Sequence, residues 1–314
     1  MGRERKRGKL EQFNQYILQG DVGEFCVSAG AIERMCDCRF VITLDADTML
    51  PPETAAKMIG ILMHPLNMPE LDPRTGKVVS GYTVVQPRLE VLPLSGPVSL
   101  FCRLYAGDTA IDIYSRAVSD IYQDLFGSGI FVGKGIYDVA AFQRSLANRV
   151  PDNSILSHDL FEGIHGRTAL ASNIVLYENF PPNYPEYALR LHRWIRGDWQ
   201  LIPWLKGQVP TAEGGVMDND LSGLDRWKIA DNLRRSLLAP ALLLLFLGGW
   251  MMLPGSAWLW TLLAVATPGL YLMSELLNIF SLALRRQLFF DVLTRISERS
   301  GRWFLAITFL VSDT

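Results

Sequence analysis

The sequence is poor in cysteine. Four among 314 residues (Cys26, Cys36, Cys38 and Cys102) are too few for a disulfide scaffold and fit a reducing setting. Cys36-x-Cys38 has no second pair of ligands, which excludes the usual structural zinc spacing. An excess of charge of either sign is also missing. The net charge is -2, which gives no case for nucleic-acid binding. The basic start, Met1–Lys9, has no apolar core after it, so it does not read as a signal peptide. Two local motifs stop short. Gly133-Lys134 is not followed by the Ser or Thr of a Walker phosphate loop. Asp45-Ala46-Asp47 does not extend to a phosphatase Asp-x-Asp-x-Thr, because Met49 stands where Thr is required.

Charge is absent over one long run. From Ser236 to Ser274 no residue is charged, enough for two spans of about 20 residues with Pro254-Gly255-Ser256 as the hinge. The expectation is a transmembrane hairpin, 237–253 and 257–279, with Trp250, Trp258 and Trp260 near the outer interface. Arg226, Lys228, Arg234 and Arg235 precede it and Arg285 and Arg286 follow, so the positive-inside rule puts both flanks in the cytoplasm. A pair of buried core helices is the alternative. A further apolar segment, 303–311, comes close to Thr314, as in a piece of a longer chain. The expected domains are 1–205 catalytic, 206–235 interfacial and 236–314 transmembrane.

What is present begins with Phe40–Pro51. The apolar run Phe40–Leu44 reads as a buried strand. It ends in Asp45 and Asp47, whose i, i+2 spacing on extended backbone points both side chains the same way. Open α/β sheets bind ligands beyond the carboxyl ends of their strands. Two hard oxygen ligands there suit Mg²⁺ or Mn²⁺; an Asp-rich turn is the plain alternative. Residues 3–20 read as a loop entering an amphipathic helix, with Lys6-Arg7-Gly8-Lys9 either holding phosphates or forming a solvated basic face. Pro51-Pro52-Glu53 opens a helix through Met63. Val78–Arg88 reads as a strand, Tyr137–Leu146 as a helix and Ile174–Glu178 as a strand. The glycine-rich stretch 127–135 lets backbone approach a bulky ligand.

Two polar clusters follow. Ser157 reads as an N-cap with Asp159 in the first helical turn, where it is either functional or a partner of the helix dipole. His158, Glu162 and His165 at i, i+4 and i+7 share a face on which a metal could sit, as in a hydrolase, although the spacing is not a known zinc pattern. Further on, Arg190, Arg193 and Arg196 lie among Trp194 and Trp199. Arginine binds diphosphate oxygens bidentately and indole offers a flat face to a sugar; a juxtamembrane basic-aromatic anchor is the other reading.

Taken in order, these clusters form one series: Asp45-Ala46-Asp47 after a strand, Gln86-Pro87, a glycine-rich loop, Asp159, then Arg190-Leu191-His192-Arg193-Trp194 before membrane helices. The series resembles the membrane-bound family-2-like glycosyltransferases, the group that includes cellulose synthases. Within it the chain looks most like the transferase domain of cyclic β-1,2-glucan synthases. Arg3-Glu4-Arg5-Lys6-Arg7-Gly8-Lys9-Leu10 and Val132-Gly133-Lys134-Gly135-Ile136-Tyr137 are also similar to that group. The resemblance runs over roughly residues 3–300. It implies an α/β, glycosyltransferase-A-like (Rossmann-like) domain lacking its N-terminal part, followed by transmembrane helices. It also implies inverting transfer of glucose from UDP-glucose to a growing glucan at the cytoplasmic face of a bacterial inner membrane, with further domains elsewhere in the chain. Asp159 is then the general base. Asp47 and Asp45 hold the metal, with Asp45 nearer the nucleotide. Arg193 and Arg190 clamp the diphosphate, Lys6 reaches the nucleotide, Trp194 is the acceptor platform and Gln86 lines the site. The chain departs from the family pattern at His158-Asp159, where an acid normally precedes the aspartate, and in lacking the upstream nucleotide-binding half. Another processive synthase and a non-catalytic membrane scaffold are the rival readings.

Overall fold

Val84 and Val85 are adjacent in the chain and both fully buried. Successive strand residues point to opposite faces, so the strand that carries them is covered on both sides. In the computed structural model of the chain, which describes residues 4–20, 25, 29–92, 99–106, 121–156, 158–270 and 289–314, this strand is the middle of a five-stranded mixed sheet.

The elements run α1 (Arg5–Gln19), β1 (Phe40–Thr43), β2 (Thr48–Met49), α2 (Thr54–Met63), β3 (Glu70–Leu71), β4 (Val78–Ser80) and β5 (Val84–Val91). Next come α3 (Leu100–Ala106), α4 (Ile121–Phe126), β6 (Gly135–Asp138), α5 (Val139–Leu146), α6 (Asp159–Gly166), β7 (Thr168–Glu178) and α7 (Tyr184–Gln200). The last are β8 (Gln208–Pro210), β9 (Val216–Asp218), α8 (Gly223–Ser236), α9 (Leu238–Met251), α10 (Ala257–Ala266) and α11 (Phe289–Thr308). The sheet order is β1-β6-β5-β7-β2; β5 and β7 are parallel and the other pairs antiparallel. The α/β expectation holds as a mixed sheet compatible with a Rossmann-like domain.

Two apolar clusters cover the sheet. Met58 and Leu62 of α2 pack with Val85, Ile136 and Ile174. Ile17 of α1 and Phe142 of α5 pack with the alternate residues Val84 and Tyr137. Each such side chain contributes about 1.5–3 kcal/mol of burial.

Contacts divide the chain into two units, one of residues 1–93, 109–180 and 190–230, the other of 94–108, 181–189 and 231–314. The first holds the sheet. In the second, Leu242, Ala264 and Leu310 form a small apolar cluster, and the Trp303 indole donates to the Val265 carbonyl at 2.8 Å.

Three local expectations shift. The run 78–88 is broken at Gly81, whose φ is +67° and where a Cβ would lie 1.9 Å from the Met68 carbonyl oxygen. Tyr137 and Asp138 are strand, not helix, because β6 pairs with both β1 and β5; Asp138 then caps α5 by accepting from the Ala141 amide at 3.1 Å. The strand ending at Glu178 begins earlier, at Thr168, opposite Val84.

The apolar hairpin is present as α9 and α10, with the Trp250 and Trp258 rings 6.1 Å apart beside its turn. α9 has 14 residues, or about 21 Å of helix, against the ~30 Å of a hydrocarbon core. Among the described residues no single helix is long and apolar enough to cross a membrane; α8 and α9 together pass by length and composition as a bent pair. The expected second span, 257–279, runs partly outside the described residues, as does Ser157.

Candidate active site

β1 ends at Thr43, and the chain turns at once. The Thr48 amide donates to the Asp45 carbonyl at 3.0 Å, and the Asp45 amide donates to Thr48 Oγ1 at 3.2 Å. This turn lifts Asp45 and Asp47 off the sheet edge. β2 then pairs Thr48 with Glu178 at the end of β7. One oxygen each of Asp45, Asp47 and Glu178 lies within 4.8 Å of the others.

Two lysines balance this group. Lys6, in the first turn of α1 and not in a loop, reaches Asp45 Oδ1 at 2.6 Å and the Gly133 carbonyl at 3.0 Å. Lys134 is 4% exposed; its ammonium touches Asp45 Oδ2 at 3.1 Å and Glu178 Oε1 at 2.7 Å. Burial pushes the Asp45 carboxyl up, but Lys134 and Lys6 outweigh it and hold it below its ordinary value. Burial pushes Lys134 down, and Glu178 and Asp45 outweigh that and raise it.

Sequence reasoning missed Glu178 and Lys134. The only signal was a carboxylate closing an apolar strand and a lysine set between two glycines. Glu178 also receives the Thr48 hydroxyl at 3.0 Å on Oε1. Its Oε2 is buried with no hydrogen-bond partner among the described residues. That orphaned oxygen, on a carboxylate grouped with Asp45 and Asp47, fits a hard divalent cation, which takes oxygen ligands.

A cavity of about 880 Å³ opens here, lined by Lys6, Lys9, Phe13, Thr43, Asp45 and Arg193 among others. The basic stretch is thus partly a site and partly not: Lys9 lines the cavity, whereas Arg7 pairs with Glu4 and Glu11. From α7, the Arg190 guanidinium stands 3.6 Å from Asp47 Oδ2 and lies over the Trp194 ring, 5.4 Å from its centre. Gln86 is placed otherwise than expected. It is fully buried and braces the glycine-rich loop, accepting from the Val132 amide at 2.9 Å and donating to the Pro87 carbonyl at 2.7 Å.

Asp159 opens α6 and packs against the same loop. Gly133 has φ +82°, and a Cβ there would come within 2.5 Å of Asp159 Oδ1, so only glycine admits this approach. Lys6 bonds the Gly133 carbonyl, so one loop residue meets both acidic groups.

The His158, Glu162 and His165 face does not form. His158 Nδ1 lies 2.8 Å from Glu162 Oε2 and 3.6 Å from Asp159 Oδ1. Burial pushes the imidazole down, but Glu162 and then Asp159 outweigh it, and the ring is raised above its ordinary value. His158 instead groups with Asp159 and Glu162, one ligand atom of each lying within 4.8 Å of the others. His165 is elsewhere, tilted against Phe161 with ring centres 4.4 Å apart. Burial, helped by Arg149, pushes it down to about 3, as for a neutral core histidine.

No protein-family model matches the chain. Over its full length it is 40% identical to cyclic β-(1,2)-glucan synthase NdvB of Rhizobium meliloti (strain 1021). The chain is related to the cyclic glucan synthases. It spans 11% of the length of that relative, so the likeness concerns one segment of a much larger protein. Lys6, Asp45, Asp47, Gly133 and Asp159 all belong to stretches that the resemblance had singled out.

Proposed function

We propose that this chain is the catalytic segment of a membrane-bound, inverting glucosyltransferase that moves glucose from UDP-glucose to a growing cyclic β-1,2-glucan. The observation that carries the reading is the convergence on Gly133. Lys6 joins Asp45 to its carbonyl, and Asp159 lies against its Cα. One loop residue is thereby shared by a carboxylate that lines the cavity and by the candidate base.

The chemistry follows from these groups. The acceptor hydroxyl must lose its proton as it attacks the anomeric carbon from the face opposite the leaving diphosphate. Asp159 takes that proton, which requires hydrogen-bond reach of the hydroxyl. Arg193, Arg190 and Lys6 place positive charge where the diphosphate develops negative charge. Asp47, with Asp45 and Glu178 adjoining, would hold Mg²⁺ or Mn²⁺, which would supply further neutralisation of UDP. Trp194 offers the acceptor sugar a flat face, stiffened by the Arg190 guanidinium above it. The uncharged run that carries α9 and α10 attaches the protein to the inner membrane, where the donor is cytosolic and the polar product must leave.

Incubating membranes that carry the protein with radiolabelled UDP-sugars tests the assignment. Incorporation from UDP-glucose into β-1,2-linked glucan is expected. Transfer from another donor, another linkage, or no transfer overturns it.

A further inference from the structure

Where an acid would precede the candidate base, this chain has His158. The side chain is not idle: it is 4% exposed, and Glu162, one helical turn on, is 5% exposed. Two buried ionisable groups on a short helix cost stability unless they answer each other. His158 Nδ1 lies 2.8 Å from Glu162 Oε2, with Asp159 Oδ1 the next carboxylate oxygen at 3.6 Å. With the imidazole protonated, the cluster carries one positive and two negative charges. Lys6, from α1, is the positive group that acts on His158 from outside the helix. Tyr137, from β6, faces Glu162 and donates its hydroxyl to Asn14 at 2.8 Å. Gly133 closes the remaining side against Asp159.

We propose that the buried His158–Glu162 pair is a positioning device for Asp159. The imidazolium stands beside the carboxylate as a fixed counter-charge. Glu162, a turn along the helix, keeps that imidazolium charged and in place, the role left open when histidine occupies the position before the aspartate. This rests on Asp159 being the base. Neither His158 nor Glu162 touches substrate. Their effect is felt in turnover and not in donor binding, because the donor diphosphate is held by groups on α1, β1 and α7.

The test uses membranes carrying the protein and measures glucose transfer, UDP affinity and protein abundance together. His158→Gln leaves Glu162 without its cation beside Asp159. Turnover should fall about 10- to 100-fold at unchanged UDP affinity, since a misplaced catalytic group costs up to about 10²-fold. Glu162→Gln should lower turnover in the same direction. His158→Gln/Glu162→Gln removes the pair together, so that Asp159 loses its counter-charge but no stranded Glu162 carboxylate stands beside it, and should recover part of the loss, a coupling that independent sites do not show. If His158→Gln fails to accumulate, the double variant decides: turnover below wild type supports the proposal, and wild-type turnover overturns it. Full transfer by His158→Gln, with Asp159→Asn dead, overturns the proposal alone. Transfer retained by Asp159→Asn overturns the assignment of the base itself.

Discussion

Two acidic groups meet one loop, and they are balanced in different ways. At the end of β1, Asp45 and Glu178 are answered by lysines from distant parts of the chain, Lys6 39 residues away in sequence and Lys134 on the glycine-rich loop. At the start of α6, Glu162 and Asp159 are answered by the histidine that immediately precedes the helix. The first arrangement is assembled by the fold and stands open to a cavity, as suits groups that must exchange partners with an incoming anion. The second is local, with His158 and Glu162 buried behind a partly exposed Asp159, as would suit a proposed base that is held in one place.

The largest expected effect breaks the second group. Asp159→Asn should lower glucose transfer by about 10²–10⁴-fold, the range of general-base catalysis, with UDP binding retained. Transfer assays beside equilibrium binding check this. Next, Lys134→Met strikes the first group by stranding Glu178 in the interior. Removing one partner of a buried ion pair costs about 3–5 kcal/mol, so thermal unfolding should occur well below wild type. Asp47→Ala should cost about tenfold or more in UDP affinity measured with Mg²⁺ or Mn²⁺, and little without the metal; calorimetry with and without chelator separates the two.

The smallest effects come from pH and differ in sign between the groups. His158 is raised by Glu162, so its stabilising contribution is complete below the usual imidazole value of about 6.5 and is lost as pH rises through the raised value. Asp45 is lowered by Lys134 and Lys6, so its contribution is present above the usual carboxylate value and is lost as pH falls through the lowered one. Melting temperatures across pH should therefore sag at both ends, with His158→Gln removing the alkaline sag only.

The contrast also explains what could be read from the chain before folding. β1, α2 after paired prolines, and Asp159 in a first helical turn are local patterns found where expected, whereas Asp45 and Asp47 stand in a turn after β1 and not on extended backbone. Glu178 and Lys134 matter only through pairing between β2, β7 and the loop before β6, which no short window displays. Tyr137-Asp138 was misread for the same reason: the segment suits a helix until two neighbouring strands claim it. His158, Glu162 and His165 share a helical period, yet tertiary packing turns one imidazole toward a carboxylate and the other toward Phe161. Periodicity gives the face of a helix, and only the surroundings decide what that face meets.

β1 ends the row of strands, with β6 as its sole neighbour among the described residues. Amide and carbonyl groups along its outer flank have no ladder to join. A bare strand edge is a template for pairing, so Phe40–Thr43 is where a further extended segment would add to the sheet.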